Sequence, residues 1–321
     1  MDLIYANEKK EDVGVLQDYH FDLAFGKDEN NFQLTINRKK HCCKAGFFVY
    51  IEGTEYGGVV DSIHPITKNE EVIYEGRTWH GMLENKVIEP DAGEDYLIVS
   101  GDANEVVSNV VGRLGLSDFF EVSTIDSGID ISNYQFPRYI YAYSGIRKML
   151  VAHGGKLMFE FKDGKVHLSV VPLIDYSQDE QFDSDQVELD IKKEYTHINH
   201  VICLGKGELK DRQVIHLYAD EDGNISKTQS IFGENEMVYI YEYTSAESLS
   251  DLEEGGIEKL KEFITGGSVN MDFETESIIY DIDDVVGSKD IITGIEVTAS
   301  ITKKIVTINK GQTMIEYEVG E

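Results

Sequence analysis

Tyr19, Phe21, Leu23 and Phe25 alternate with His20, Asp22 and Ala24, and a little further on Phe32, Leu34 and Ile36 alternate with Gln33 and Thr35. In an extended chain successive side chains point to opposite faces, so a period of two marks half-buried β-strands. Gly26-Lys27-Asp28-Glu29-Asn30-Asn31 is the polar turn between them. Phe47–Glu52 and Tyr56–Ile63 form a second pair around Gly53 and the Gly57-Gly58 step, and Val72–Thr78 adds one more strand. Short strands joined by turns over residues 1–95 predict a small barrel or sandwich.

The pattern changes near Ser100. Asp102 and Glu105 have capping-box spacing and predict a helix whose face is Val106, Val107, Val110, Val111 and Leu114, stopped at Gly115. Ser144 reads as the cap of a second short helix carrying Ile146, Met149 and Leu150. Lys156–Phe161 and Val166–Val171 flank Asp163-Gly164 as a hairpin with a two-residue turn. Residues 96–178 therefore read as an α+β domain, with the acidic Ser177–Ser184 as a linker. Residues 179–321 read mainly as strands. Within them Val201–Leu204 and Val214–Tyr218 flank a glycine-broken connector, and Asp222-Gly223-Asn224 is a turn signal. Ser250 and Glu253 predict one helix, with Ile257, Leu260 and Ile264 as its stripe. Ile278–Val286, Ile291–Ile301 and Lys304–Ile308 supply the last strands, with a turn at Asn309-Lys310-Gly311. The expected fold is mainly β with an α+β insert: two β domains, 1–95 and 179–321, on either side of 96–178.

A chain of 321 residues supports two or three cores. Its net charge of −31 repels nucleic acid. Three cysteines, two of them adjacent, argue against a disulfide framework and for reduced, cytoplasmic synthesis. The first ten residues lack an apolar signal core, and no run approaches the roughly 20 apolar residues that cross a bilayer, so neither Sec export nor membrane insertion is expected. Gly205-Lys206-Gly207 lacks the spacing of a phosphate loop and reads as a hairpin connector. His41, Cys42 and Cys43, even with His64 or His80, lack zinc-ligand spacing, because neighbouring side chains in a strand point apart. Glu274, Glu276, Asp281, Asp283 and Asp284 alternate with Ile278, Ile279 and Ile282 without an EF-hand pattern, which predicts a strand with a solvated acidic face. Neither Gly-x-Ser-x-Gly nor His-Glu-x-x-His occurs, and among 60 acidic residues paired carboxylates carry little information. No catalytic, cofactor-binding or metal-binding residue is assigned, and no enzyme activity is expected.

Several segments occur in a telling order. They are Asn31–Ile36, then Tyr50-Ile51-Glu52-Gly53 with Gly57-Gly58-Val59-Val60, then the hairpin Lys156–Val171 running into Asp175. Asn199–Gly207 and Arg212–Tyr218 follow. Together they make the chain similar to the siphophage tail-hub family, which includes baseplate hubs and the N-terminal modules of tail-associated lysins. The resemblance implies a homotrimer at the tail tip. Each subunit would give two tube-like β-barrels, one from each end of the chain, matching the six-fold tail tube, with the α+β domain projecting. It implies the distal tail protein, the tail tube, the tape-measure protein and a tail fibre or lysin as partners. It also implies assembly in the host cytoplasm and residence in the virion, with DNA passing through the channel unbound. The family has no catalytic residues in this module. Because this chain stops at Glu321, lytic activity is expected from another protein. A contractile-tail or bacteriocin-like hub is a close variant. A tail-associated cell-wall hydrolase and a carbohydrate-binding β module are the alternatives, the latter suggested by the 18 tyrosines. The charge of −31 exceeds the magnitude of about 2–8 that keeps a small domain soluble. It suggests an acidic channel wall that DNA passes without being trapped, with Glu274–Asp284 as one contributor.

Overall fold

The computed structural model describes residues 2–177, 181–183, 188–193, 198–220, 223–246, 248–264, 267–274 and 279–320. The chain is mainly β, with four α-helices among these residues: α1 (Trp79–Glu84), α2 (Ala103–Arg113), α3 (Ala142–Ala152) and α4 (Leu249–Ile264). It divides into two units, one made of residues 1–189 with 270–321 and the other of residues 190–269.

The alternating stretch that opens the sequence is the middle of a large sheet in the first unit. His20–Gly26 and Asn31–Asn37 pair antiparallel, and Phe21, Leu23, Phe25, Phe32, Leu34 and Ile36 are all buried on one face. The sheet continues through Glu71–Thr78, Gly57–Ile66, Phe48–Tyr50, Leu3–Ala6 and Asp12–Leu16. At Gly58 and Gly76 a Cβ would fall 2.1 Å from Arg77 O and 1.9 Å from Val59 O, and 2.8 and 3.0 Å from the Phe32 ring, so only a bare backbone fits between the neighbouring carbonyl and that ring. On its other side His20–Gly26 pairs with Glu296–Asn309, which in turn pairs with Gln312–Gly320. Strands from the two ends of the chain are thus neighbours in one sheet. This corrects the expectation of two separate barrels from 1–95 and 179–321: no closed barrel is present among the described residues.

The middle of the sequence packs onto this sheet. Asp102 caps α2, its Oδ1 accepting from the Asn104 amide at 2.9 Å and the Glu105 amide at 3.4 Å. Val106, Val107, Val110 and Val111 are buried as the spacing predicts. The hairpin Gly155–Lys162 with Lys165–Pro172 turns at Asp163-Gly164, both at positive φ. Helix α3 begins at Tyr141 without a side-chain cap. Ser144 lies inside it, with its amide and Oγ bonded to Glu84 at 3.0 and 2.7 Å. The N-terminal β part and the α+β part share one core, in which Trp79 stacks on Phe161 at 5.0 Å and Tyr50 meets Phe161 at 4.1 Å. The helix α1 that carries Trp79 has too few residues to show a helical period.

In the second unit the strands run in the order Ile225–Ser226, Val214–Ala219, His200–Leu204, Val238–Glu242, and α4 covers one face. Gly205-Lys206-Gly207 opens the hairpin connector, with the Gly205 amide on Gln213 O at 2.9 Å and the Gln213 amide on Lys206 O at 2.8 Å. Asp222 lies outside the described residues, while Gly223 takes the positive φ of the turn. The capping box of α4 is Ser248 with Asp251, each side chain accepting the other's amide at 3.1 Å, two residues before the expected pair. Gly256 sits in this helix where a Cβ would fall 2.2 Å from Cys203 Sγ and 2.8 Å from Leu217. At Gly255 a Cβ would meet only the end of the Tyr241 side chain, at 2.8 Å.

That difference is measurable. Gly256→Ala overpacks the strand beneath and is expected to cost about 1–3 kcal/mol in urea unfolding. Gly255→Ala, where Tyr241 can turn aside, is expected to be neutral or to gain up to about 1 kcal/mol of helix propensity. Equal stability of the two variants would contradict the close approach of helix and sheet.

Candidate functional site

The acidic run near residue 280 forms the most charged buried place among the described residues. Its entry is fixed by Tyr280, whose amide donates to the Tyr317 hydroxyl at 3.0 Å and whose ring stands edge-on to Tyr176 and Tyr317. Asp281–Asp284 then makes a tight turn, the Asp284 amide bonding Asp281 O at 3.2 Å and Asp283 taking φ 78°. Aspartate tolerates the left-handed region better than most residues. The chain leaves as the strand Val285–Lys289, held to the preceding domain by Val285 N on Ile174 O (3.0 Å) and Tyr176 N on Val285 O (2.8 Å).

Three cations from distant segments converge on this turn. Lys156, second in its hairpin strand and 2% exposed, donates to Asp284 at 2.7 and 2.8 Å and to Asp281 at 2.7 Å. Arg147 on α3 makes a two-pronged pair with Asp283 at 3.0 and 2.6 Å. Lys304, on the strand shared with the N-terminal sheet, reaches Glu55 at 2.7 Å and Asp281 at 3.9 Å. Asp284 also accepts the amides of Ile174 and Asp281, each at 3.0 Å. Burial alone would lower both ammonium pKa values. For Lys156 the hydrogen bonds of Asp281 and Asp284 outweigh that, and for Lys304 the charge of Glu55 does, so both are raised above the ordinary lysine range. Beside them His80 is buried under Phe159 and Phe25, at 3.8 and 4.6 Å between rings, and its Nδ1 has no hydrogen-bond partner among the described residues. Desolvation first, and then the charges of Lys304 and Arg147, push its pKa well below 6.5.

Such an arrangement fastens rather than reacts. A lysine held protonated is neither nucleophile nor base. The carboxylates are occupied by cations and amides, and a pair that completes its hydrogen bonds in this way offsets its desolvation. The residues contribute position: they tie the turn at 281–284 to α3, to the hairpin and to the N-terminal sheet.

The sequence reading of this run needs correction. Asp283 and Asp284 are 8% and 0% exposed, so 281–284 is an inward-facing turn and not a strand with a solvated face. Glu274 stands opposite Glu316 in the sheet register, and Glu276 lies outside the described residues. His41, Cys42 and Cys43 do not meet His80. His41 Nδ1 lies 2.8 Å from the Tyr74 hydroxyl, Cys42 and Cys43 place their sulfurs 3.7 Å apart, and His80 belongs with Glu55 and Phe159. Sequence reasoning also missed a row in the second unit. His200 Nδ1 meets Glu236 at 2.6 Å, His200 Nε2 meets His216 Nδ1 at 2.8 Å, and the His200 ring stacks on Tyr218 at 4.3 Å. The signal for it is cross-strand: His200 faces Tyr218 and Ile202 faces His216, so the two histidines are diagonal neighbours on one face.

No family model matches the chain, and no curated protein does. Solved structures do. The tail protein from Neisseria meningitidis MC58 aligns over 100% of this chain and 96% of its own, with TM-score 0.55 and 12% identity. The prophage tail protein gp18 from Listeria monocytogenes EGD-e aligns over 99% and 94%, with TM-score 0.56 and 12% identity. The prophage MuSo2 43 kDa tail protein from Shewanella oneidensis aligns over 99% and 98%, with TM-score 0.58 and 12% identity. At this identity the likeness is one of fold, and it extends over essentially the whole chain.

The ion cluster makes two predictions. Lys156→Met leaves the buried Asp284 without its cation and is expected to cost about 3–5 kcal/mol in chemical unfolding. Lys165→Met, at an exposed pair with Glu121, is expected to cost less than about 1 kcal/mol. Similar losses would mean that the cluster is not buried as described. His80 folds neutral, so below the unfolded pKa of about 6.5 the unfolded chain binds a proton that the folded chain refuses. Stability should therefore fall as pH drops from about 6.5, by up to about 1.4 kcal/mol per pH unit from this group. His80→Phe should remove that portion of the slope, and an unchanged slope would contradict the burial of His80.

Proposed function

We propose that the chain is a structural hub protein at the tip of a phage tail, or of a prophage-derived tail particle, with no enzymatic activity of its own. Three copies form a ring that closes and extends the tail tube and guides DNA during ejection. The strands at the two ends of the chain give the tube-like walls, and residues 96–178 project outward. The observation that carries this reading is the end-to-end fold correspondence with three tail proteins, two of them from prophages. The order of the tail-hub-like segments in the sequence agrees with it. The distal tail protein, the tail tube, the tape-measure protein and a fibre or lysin are the partners of this reading, and the virion is its location. The net charge of −31 suits a wall that DNA passes without adhering. Asp281, Asp283 and Asp284 are spent on internal pairs, so that role falls to carboxylates elsewhere.

The expected outcome is a trimer by light scattering at high protein concentration, and three-fold density at the tail tip in images of the particle. A stable dimer in both settings would overturn the proposal.

A further inference from the structure

Val238–Glu242 is the last strand of the four-stranded sheet in the second unit, and it runs parallel to His200–Leu204. Two bonds fix which of its backbone groups point inward: His200 N donates to Met237 O at 3.1 Å and Tyr243 N donates to Leu204 O at 2.9 Å. In a parallel ladder the same residue both donates and accepts toward its neighbour, so the odd-numbered residues here bond inward. The N–H and C=O groups of Val238, Ile240 and Glu242 therefore point out of the sheet edge. The edge lacks the usual protection: no proline, no lysine and no bulge interrupts it, and Val238 and Ile240 are 45% and 58% exposed.

A groove of about 550 Å³ runs along this edge, between the strand and α4. Tyr239 and Tyr241 form its floor on the strand side with Glu242 beside them, and Gly255, Glu258 and Lys259 line it from the helix, two carboxylates against one ammonium. The absent side chain at Gly255 keeps the helix wall low. Residues 190–269 carry 16 acidic against 8 basic residues, so the groove lies in a negative field. A second copy of the chain would bring the same carboxylates against themselves.

We infer that this edge and groove bind an extended, basic segment of another polypeptide, which adds itself as a fifth strand beside Val238–Glu242. Its backbone takes the outward N–H and C=O groups of Val238, Ile240 and Glu242. Its apolar side chains lie beside Val238 and Ile240 on the open face. Its lysines or arginines lie on the other face, over Tyr239 and Tyr241, and reach Glu258.

The test uses the full chain and fluorescently labelled twelve-residue peptides, read by anisotropy at physiological salt. The probe alternates lysine with valine. One control replaces lysine by glutamate, and a second carries proline at its centre. Saturable binding of the lysine–valine peptide is expected, with both controls weaker by about tenfold or more. Ile240→Pro removes an outward N–H that no strand among the described residues uses, so the fold should survive while the peptide loses about tenfold in affinity. Glu258→Lys, an exposed change on the groove wall, should weaken binding similarly and serves as the decisive variant if Ile240→Pro unfolds. Equal binding of the proline-broken peptide, or unchanged affinity in Glu258→Lys, would reduce the effect to general charge attraction and overturn the inference. Sedimentation in which Ile240→Pro dissolves an oligomer would overturn it as well, by giving the edge to a second copy.

Discussion

Lys156, Arg147 and Lys304 are placed against Glu55, Asp281, Asp283 and Asp284 in the interior of the larger unit, and the rest of that unit depends on this being complete. A buried charge without its partner costs several kcal/mol, whereas a fully paired and hydrogen-bonded set roughly offsets its own desolvation. The cluster adds little net stability by that accounting. It adds an all-or-none condition. The partners come from residues 55, 147–156 and 281–304, so no one segment can hold its charges in the interior without the other two.

The sheet imposes the same condition by another route. Glu296–Asn309 lies beside His20–Gly26, and Val306 and Ile308 share a core with Phe21, Leu23 and Phe25. The aromatic cluster of Trp79, Phe48, Phe119 and Phe161 joins the N-terminal strands to the α+β part. A body closed in this way, with its chain ends in one sheet, is a reasonable building block for the proposed ring, whose subunits must hold their shape while DNA passes.

Much of the local structure was legible in the sequence. The alternation at Tyr19–Ile36, the Asp102 cap, the valine face of α2 and the hairpin turn at Asp163-Gly164 each rest on interactions between near neighbours, and each is present. The readings that failed depend on distant residues. The acidic run looked like a solvated strand because nothing near it in sequence announces Lys156, Arg147 or Lys304. The partition into 1–95, 96–178 and 179–321 followed changes of pattern along the chain. The packing instead groups residues 270–321 with 1–189 and makes 190–269 a unit of its own. Ser144 and Ser250 have the chemistry of caps, but Ser144 is used by Glu84, and Ser248 takes the cap two residues before Ser250. The ion cluster, the His200 row and the position of Val238–Glu242 at the sheet edge among the described residues are all cross-strand or cross-segment facts.

The central claim is that residues 270–320 and the segments they pair with open together. Native-state hydrogen exchange measures this directly. The account predicts that amides in Glu296–Asn309, His20–Gly26 and Gly155–Lys162 share one opening free energy and one denaturant dependence, both close to those of global unfolding of the larger unit. Exchange of Glu296–Asn309 through a separate, much lower-energy opening, with His20–Gly26 and the hairpin still protected, would contradict it.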